Sequence, residues 1–219
     1  MLFGGTIIQG LVVLNYPGYG FERWHGTLIL YAVVIFAGLF NALLVRLLPF
    51  AEGSVLVIHI LGWFAVLISI IVMGPHYTND EVWGTFSNLG GYGESGLSFF
   101  VGLIGPVFAF MGADGATHMS EEVINPRITI SMALFSSITI NGFLGFDMLV
   151  ALSYYQGNIM ENLDTDTGFP FIQAFLQALR SVPWTNAWTS LLLVLLIFAC
   201  VVVLAATSRA TYAFARDNG

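Results

Sequence analysis

Lysine is absent from the chain, and its six basic residues are all arginines scattered singly between Arg23 and Arg216. Without a basic patch nothing neutralises a run of phosphates, and a net charge of -7 adds repulsion, so nucleic acid is excluded as a partner. The missing lysine also removes the phosphate loop of nucleotide hydrolases, and no serine elbow or zinc signature stands in its place, so no enzyme is read from the chain. A single cysteine, Cys200, sits inside an apolar run. It excludes a disulfide within the chain and leaves a packing role. Charge of either sign is scarce: 9% of residues are charged and 57% are hydrophobic, far from the balance of a soluble domain.

What remains is a set of apolar runs near twenty residues long, the length an α-helix needs to cross the hydrocarbon core of a bilayer. They are continuous rather than alternating, which favours helices over an outer-membrane barrel. The expected class is therefore an all-α integral membrane protein, multi-pass, with one transmembrane domain over residues 1–219. Helices are expected at about 1–14, 27–48, 55–73, 97–124, 128–154 and 187–207, with a short amphipathic helix at 169–180 lying at the membrane interface. The first is too short to span and lacks the basic flank of a signal peptide, so the chain is expected to be a fragment that begins partway through a helix. Alternate loops place Arg46, Arg127, Arg209 and Arg216 on one side. The other side carries Arg23 and Arg180 with most of the acids, so the arginine-rich side and the C-terminal tail are expected to be cytoplasmic.

One stretch breaks the pattern. Between Gly105 and Glu122 an otherwise membrane-spanning sequence contains Gly112, Asp114 and Gly115. Glycine weakens a helix, and non-helical backbone at membrane depth is tolerated only beside a cavity or within protein. A carboxylate at the bilayer centre costs roughly 2.5 to 3.5 kcal/mol, which marks Asp114 as a candidate for binding a cationic group or a proton rather than an accident. Phe108, Ala109, Phe110, Gly112, Asp114 and Gly115 are thus the candidate solute contacts, the two rings being suited to an amine through their quadrupoles. Asp147, a second acid within a span, joins Asp114 as a candidate for coupling. His59 reads more readily as a hydrogen-bonding group between helices. His118, Glu121 and Glu122 have the i, i+3, i+4 spacing of metal ligands on one helical face. No second cluster completes such a site, and neither a metal nor any other cofactor is expected.

The segment Phe108-Ala-Phe-Met-Gly-Ala-Asp-Gly-Ala116, followed by His118-Met-Ser-Glu-Glu-Val-Ile-Asn-Pro126, resembles the sixth helix and following loop of amino acid-polyamine-organocation (APC) superfamily permeases. The likeness is strongest to the fungal branch for amino acids, GABA and choline. Leu14-Asn-Tyr-Pro17, Glu22-Arg-Trp-His-Gly26, the run from Gly96 to Gly105, Ser208-Arg and Ala215-Arg-Asp217 agree with it. Ser131 stands where the family often carries proline, and Asp147 where a small residue is usual. The resemblance implies part of an inverted-repeat transporter fold, from the end of helix three through helix eight, with the discontinuous helix at about 97–124 broken near 110–115. It also implies proton-coupled transport of an amino acid or amine across a plasma or vacuolar membrane. The alternative is a truncated product that transports nothing, or a membrane bundle that binds a partner.

Overall fold

The computed structural model describes residues 2–16, 18–20, 22–86, 88–107, 110, 112, 115–117, 120 and 123–216. These residues contain ten α-helices and no strand. Four helical segments are long and apolar enough to cross a membrane: 23–43, 45–73, 126–155 and 182–216. The fold of the described residues is all-α, with the apolar spans of a multi-pass membrane protein. The chain forms two compact units, one built from Met1–His76 and Tyr155–Ser208, the other from Tyr77–Tyr154 and Arg209–Gly219.

The first unit holds α1 (Leu2–Asn15), α2 (Arg23–Leu43) and α3 (Leu48–Met73), with a 3-10 turn at Val45–Leu47 before α3. The unit resumes with α8 (Ile159–Leu163), α9 (Pro170–Leu179) and the part of α10 (Val182–Arg216) that ends at Ser208. Lipid does not drive helices together as water does, so packing between spans depends on small residues and on polar ties. Both occur here. A Cβ added at Gly5 would lie 3.1 Å from the Gly26 carbonyl oxygen and 3.2 Å from the Leu30 amide, so α1 and α2 touch backbone to backbone. Gln9, 1% exposed, fills the space beside Gly26 and donates to the Glu22 carbonyl at 2.9 Å. The Tyr19 hydroxyl, 3.4 Å from Gln9 Nε2, meets His25 Nδ1 at 2.6 Å.

Further along, Ala37, Leu48, Val201 and Ala205 form a dry cluster between α2, the start of α3 and α10. Asn41 crosses it, its amide donating to the carbonyls of Ala37 and Val201, each at 2.9 Å. At the opposite end of the unit Asn15 and Asn186 exchange both amide hydrogen bonds, at 2.7 and 3.0 Å, and join α1 to α10. Helix α9 starts on Pro170, which suits the first turn because its missing amide is an orphan there, and ends at Arg180 with φ 49°. It buries Ile172, Phe175 and Leu179 and packs against α3. Gln177 ties α9 to α8 by accepting from the Asn158 amide and donating to Glu161.

The second unit contains α4 (Asn79–Trp83), α5 (Ser95–Gly102), α6 (Ile104–Val107) and α7 (Pro126–Tyr155) up to Tyr154. Thr78 and Glu81 close a capping box on α4. The Thr78 amide and hydroxyl both donate to the Glu81 carboxylate, at 2.7 and 2.8 Å, and hold it below the usual carboxylate range. The same short helix is fastened to the end of α7. Trp83 donates its indole N–H to the Tyr154 hydroxyl at 2.7 Å, and that hydroxyl donates to Asn79 at 2.8 Å.

Gly5 provides a direct check on the close packing of α1 and α2. Gly5→Val forces two backbones apart and costs roughly 1 to 3 kcal/mol, the usual penalty of overpacking. The thermal midpoint of the purified protein is expected to fall. Gly38→Val, where nothing lies within 4 Å, should leave it close to the native value.

Candidate functional site

The second unit carries the segment whose sequence departs from a continuous span. Helix α5 stops at Gly102, Leu103 is a turn, and α6 runs for one turn only, from Ile104 to Val107. Pro106 accounts for this, because it has no amide to offer the Gly102 carbonyl four residues back. The flanking bonds persist but lengthen, from Leu103 to the Phe99 oxygen at 3.1 Å and from Val107 to the Leu103 oxygen at 3.4 Å.

Beyond Val107 the described residues are turns and 3-10 pieces until α7 begins. Gly112 has φ 86°, in the left-handed region that side chains avoid, and its carbonyl accepts from the Gly115 amide at 3.0 Å in a tight turn. Asn125, at φ 54°, reverses the chain before Pro126. Its carbonyl accepts from the amides of Ile128 and Thr129, while the Thr129 hydroxyl returns to the Ile124 carbonyl at 3.0 Å. The described residues between Leu103 and Asn125 therefore do not form the ladder of a continuous helix. They leave backbone donors and acceptors to be met by something other than the next turn.

Three of the six expected solute contacts are described. Gly112 and Gly115 make the tight turn. Phe110, 41% exposed, lies over α7, with ring carbons 3.7 and 3.8 Å from where a Cβ on Gly142 would stand. The notch left by that missing side chain seats the ring. Phe108, Ala109 and Asp114 lie outside the described residues, as do His118, Glu121 and Glu122. Among the described residues no three His, Cys, Asp or Glu side chains gather as metal ligands.

Asp147 lies five residues beyond Gly142 on α7, which is about 140° round the helix and about 7.5 Å along it. The structure thus separates it from the face that meets Phe110. It is exposed and makes no hydrogen bond or ion pair with another described residue. Asn141, on the same helix, donates to the Ser137 hydroxyl one turn back at 3.3 Å. His59 is exposed on α3 rather than bonded between helices.

Two features escaped the sequence reading. One is the Tyr154–Trp83–Asn79 network, whose partners lie more than seventy residues apart; the adjoining capping box at Thr78 and Glu81 is legible from its Thr-x-x-Glu spacing. The other is an open cleft of about 490 Å³ lined by Phe86, Leu89, Tyr92 and Phe99, where the loop before α5 folds onto that helix. It is rich in rings and has no charged lining residue.

Compared with known proteins, residues 2–219 match the family model described as amino acid permease. A Macrophomina phaseolina protein named as a candidate amino acid/polyamine transporter is 32% identical over 216 residues, which cover 98% of this chain and 48% of that protein. The choline transporter of Saccharomyces cerevisiae is 30% identical over 217 residues, covering 98% of this chain and 38% of its own length. The 7-keto 8-aminopelargonic acid transporter of the same yeast is 28% identical over 180 residues, covering 77% of the chain and 31% of the transporter. The chain therefore spans half or less of the length of these relatives. No solved structure matches it.

The turn at Gly112 can be tested without any solute. Nothing lies within 4 Å of a Cβ placed there, so the constraint is conformational and not steric. A left-handed residue with a side chain costs about 1 to 2 kcal/mol, less for asparagine. Thermal midpoints are expected to fall in the order Gly112, Gly112→Asn, Gly112→Ala, Gly112→Val. Equal midpoints would contradict the left-handed turn.

Proposed function

The chain belongs to the amino acid permease family, and from that premise we propose that the full-length protein is a secondary carrier moving an amino acid or small amine across a membrane, coupled to protons. The observation that carries this reading is the interrupted helix. In a membrane, backbone groups freed from a helix are stable only where protein or a solute-filled cavity meets them. Half-helix ends aimed at such a cavity attract charged groups of opposite sign, the C-terminal end of α6 offering carbonyls and the segment after Gly115 offering amides.

The named relatives support the solute class. An amino acid or polyamine, choline and 7-keto 8-aminopelargonic acid each carry an amino or quaternary ammonium nitrogen, though each name belongs to that relative alone. For this chain we assign Phe108, Ala109, Phe110, Gly112, Asp114 and Gly115 as solute contacts. The carboxylate of Asp114 is the counter-charge to the solute nitrogen, and the rings of Phe108 and Phe110 provide faces against it. Asp114 and Asp147 are the groups that take and release the coupling proton. The remaining length of the carrier supplies the other wall of the site. The arginine-rich side, with the tail after Thr207, faces the cytoplasm, and the membrane is the plasma or vacuolar membrane.

A radiolabelled uptake panel of amino acids, GABA and choline, run with the full-length protein, tests the proposal. Asp114→Asn is expected to lower uptake about tenfold or more, the effect of roughly 1.4 kcal/mol, while surface expression is unchanged. Native uptake by this variant across the pH range would exclude both a solute and a proton role for Asp114.

A further inference from the structure

The short connection between α2 and α3 differs in chemistry from the longer connections in the chain. Residues 43–50 read Leu-Leu-Val-Arg-Leu-Leu-Pro-Phe, in which Arg46 is the only polar side chain. The connections at 74–94 and 156–168 are instead rich in Asn, Asp, Thr and Gly, as expected of backbone that meets water. Helix α2 ends at Leu43 and α3 starts at Leu48, and both belong to segments long and apolar enough to cross the membrane. So short a link between two spans cannot leave the headgroup layer, and its side chains must be matched to that layer.

The corner is held from inside. Leu48 is buried in the cluster with Ala37, Val201 and Ala205, and Asn41 bonds the Val201 carbonyl one to two turns away. Its outward residues are nonetheless large and apolar: Leu43 is 74% exposed, Leu47 52% and Phe50 78%. Arg46 is exposed among them. It forms no ion pair or hydrogen bond with another described residue, and the nearest acid in the chain is Glu52.

We propose that the α2–α3 corner binds an anionic phospholipid, with the Arg46 guanidinium pairing the headgroup phosphate and Leu43, Leu47 and Phe50 lying against the acyl chains. Charge balance selects the lipid. A guanidinium takes phosphate through two parallel hydrogen bonds, and one uncompensated positive charge is neutralised by a lipid of net negative charge but not by a zwitterionic one. The apolar flanks select against a free anion, which would gain nothing from them. A protein helix laid on the corner would cover the leucines and leave the charge unmatched.

Native mass spectrometry of the full-length protein, titrated in detergent with phosphatidylglycerol or phosphatidylcholine, tests this independently of any transport. The wild type is expected to retain phosphatidylglycerol in preference, and R46Q to lose about fivefold of that preference, the effect of one arginine near an anionic surface. R46K should keep most of it. Phe50→Ser, which leaves the charge in place, should lower retention of both lipids, and inorganic phosphate should displace neither. The proposal is overturned by a wild type without preference, as expected of a corner covered by protein. Unchanged preference in R46Q or full displacement by phosphate overturns it equally.

Discussion

A chain in hydrocarbon has no water to satisfy its amides and carbonyls, so each spanning segment must either remain helical throughout or be shielded where it does not. Helices α2, α3, α7 and α10 take the first course. The described residues between Leu103 and Asn125 do not continue a helix. Pro106 withholds one amide, Gly112 turns left-handed, and Asn125 turns left-handed again before α7 begins. These are choices of backbone and not of side-chain chemistry, and the functional assignment rests on them more than on any single carboxylate.

The same constraint sorts the polar side chains into two kinds. In the first unit several are internal ties: Gln9 to the Glu22 carbonyl, Asn41 to Val201, and the Asn15–Asn186 pair. Each is satisfied by protein, and each joins helices that small residues such as Gly5 and Ala37 bring close. In the second unit Asp147 is exposed, and Phe110 stands open over the notch at Gly142. A polar group that stiffens the bundle is completed by the chain itself, whereas Asp147 has no partner among the described residues.

The apolar class of the fold was legible because a run near twenty residues long has few other uses. The interruption was legible from Gly112 and Gly115, but it reaches further back than those glycines indicate. The cause is Pro106, whose effect falls four residues earlier, at Gly102. Helix α10 likewise runs on to Arg216 past a stretch that looks like a polar tail, since Ala210, Ala213 and Ala215 favour helix and no glycine or proline interrupts it. What periodicity could not reveal are pairings across the sequence. Asn15 and Asn186 are 171 residues apart, and nothing local in either announces the other.

The central claim is that the interrupted helix lines a path for an amine-bearing solute. In the full-length protein with its native cysteines replaced, Cys200→Ser among them, Gly115→Cys should react with a water-soluble, membrane-impermeant thiol reagent, and a transported solute should slow that reaction in proportion to its occupancy. A cysteine that stays unreactive from both sides of the membrane, or one whose reaction rate ignores saturating solute, would contradict the account.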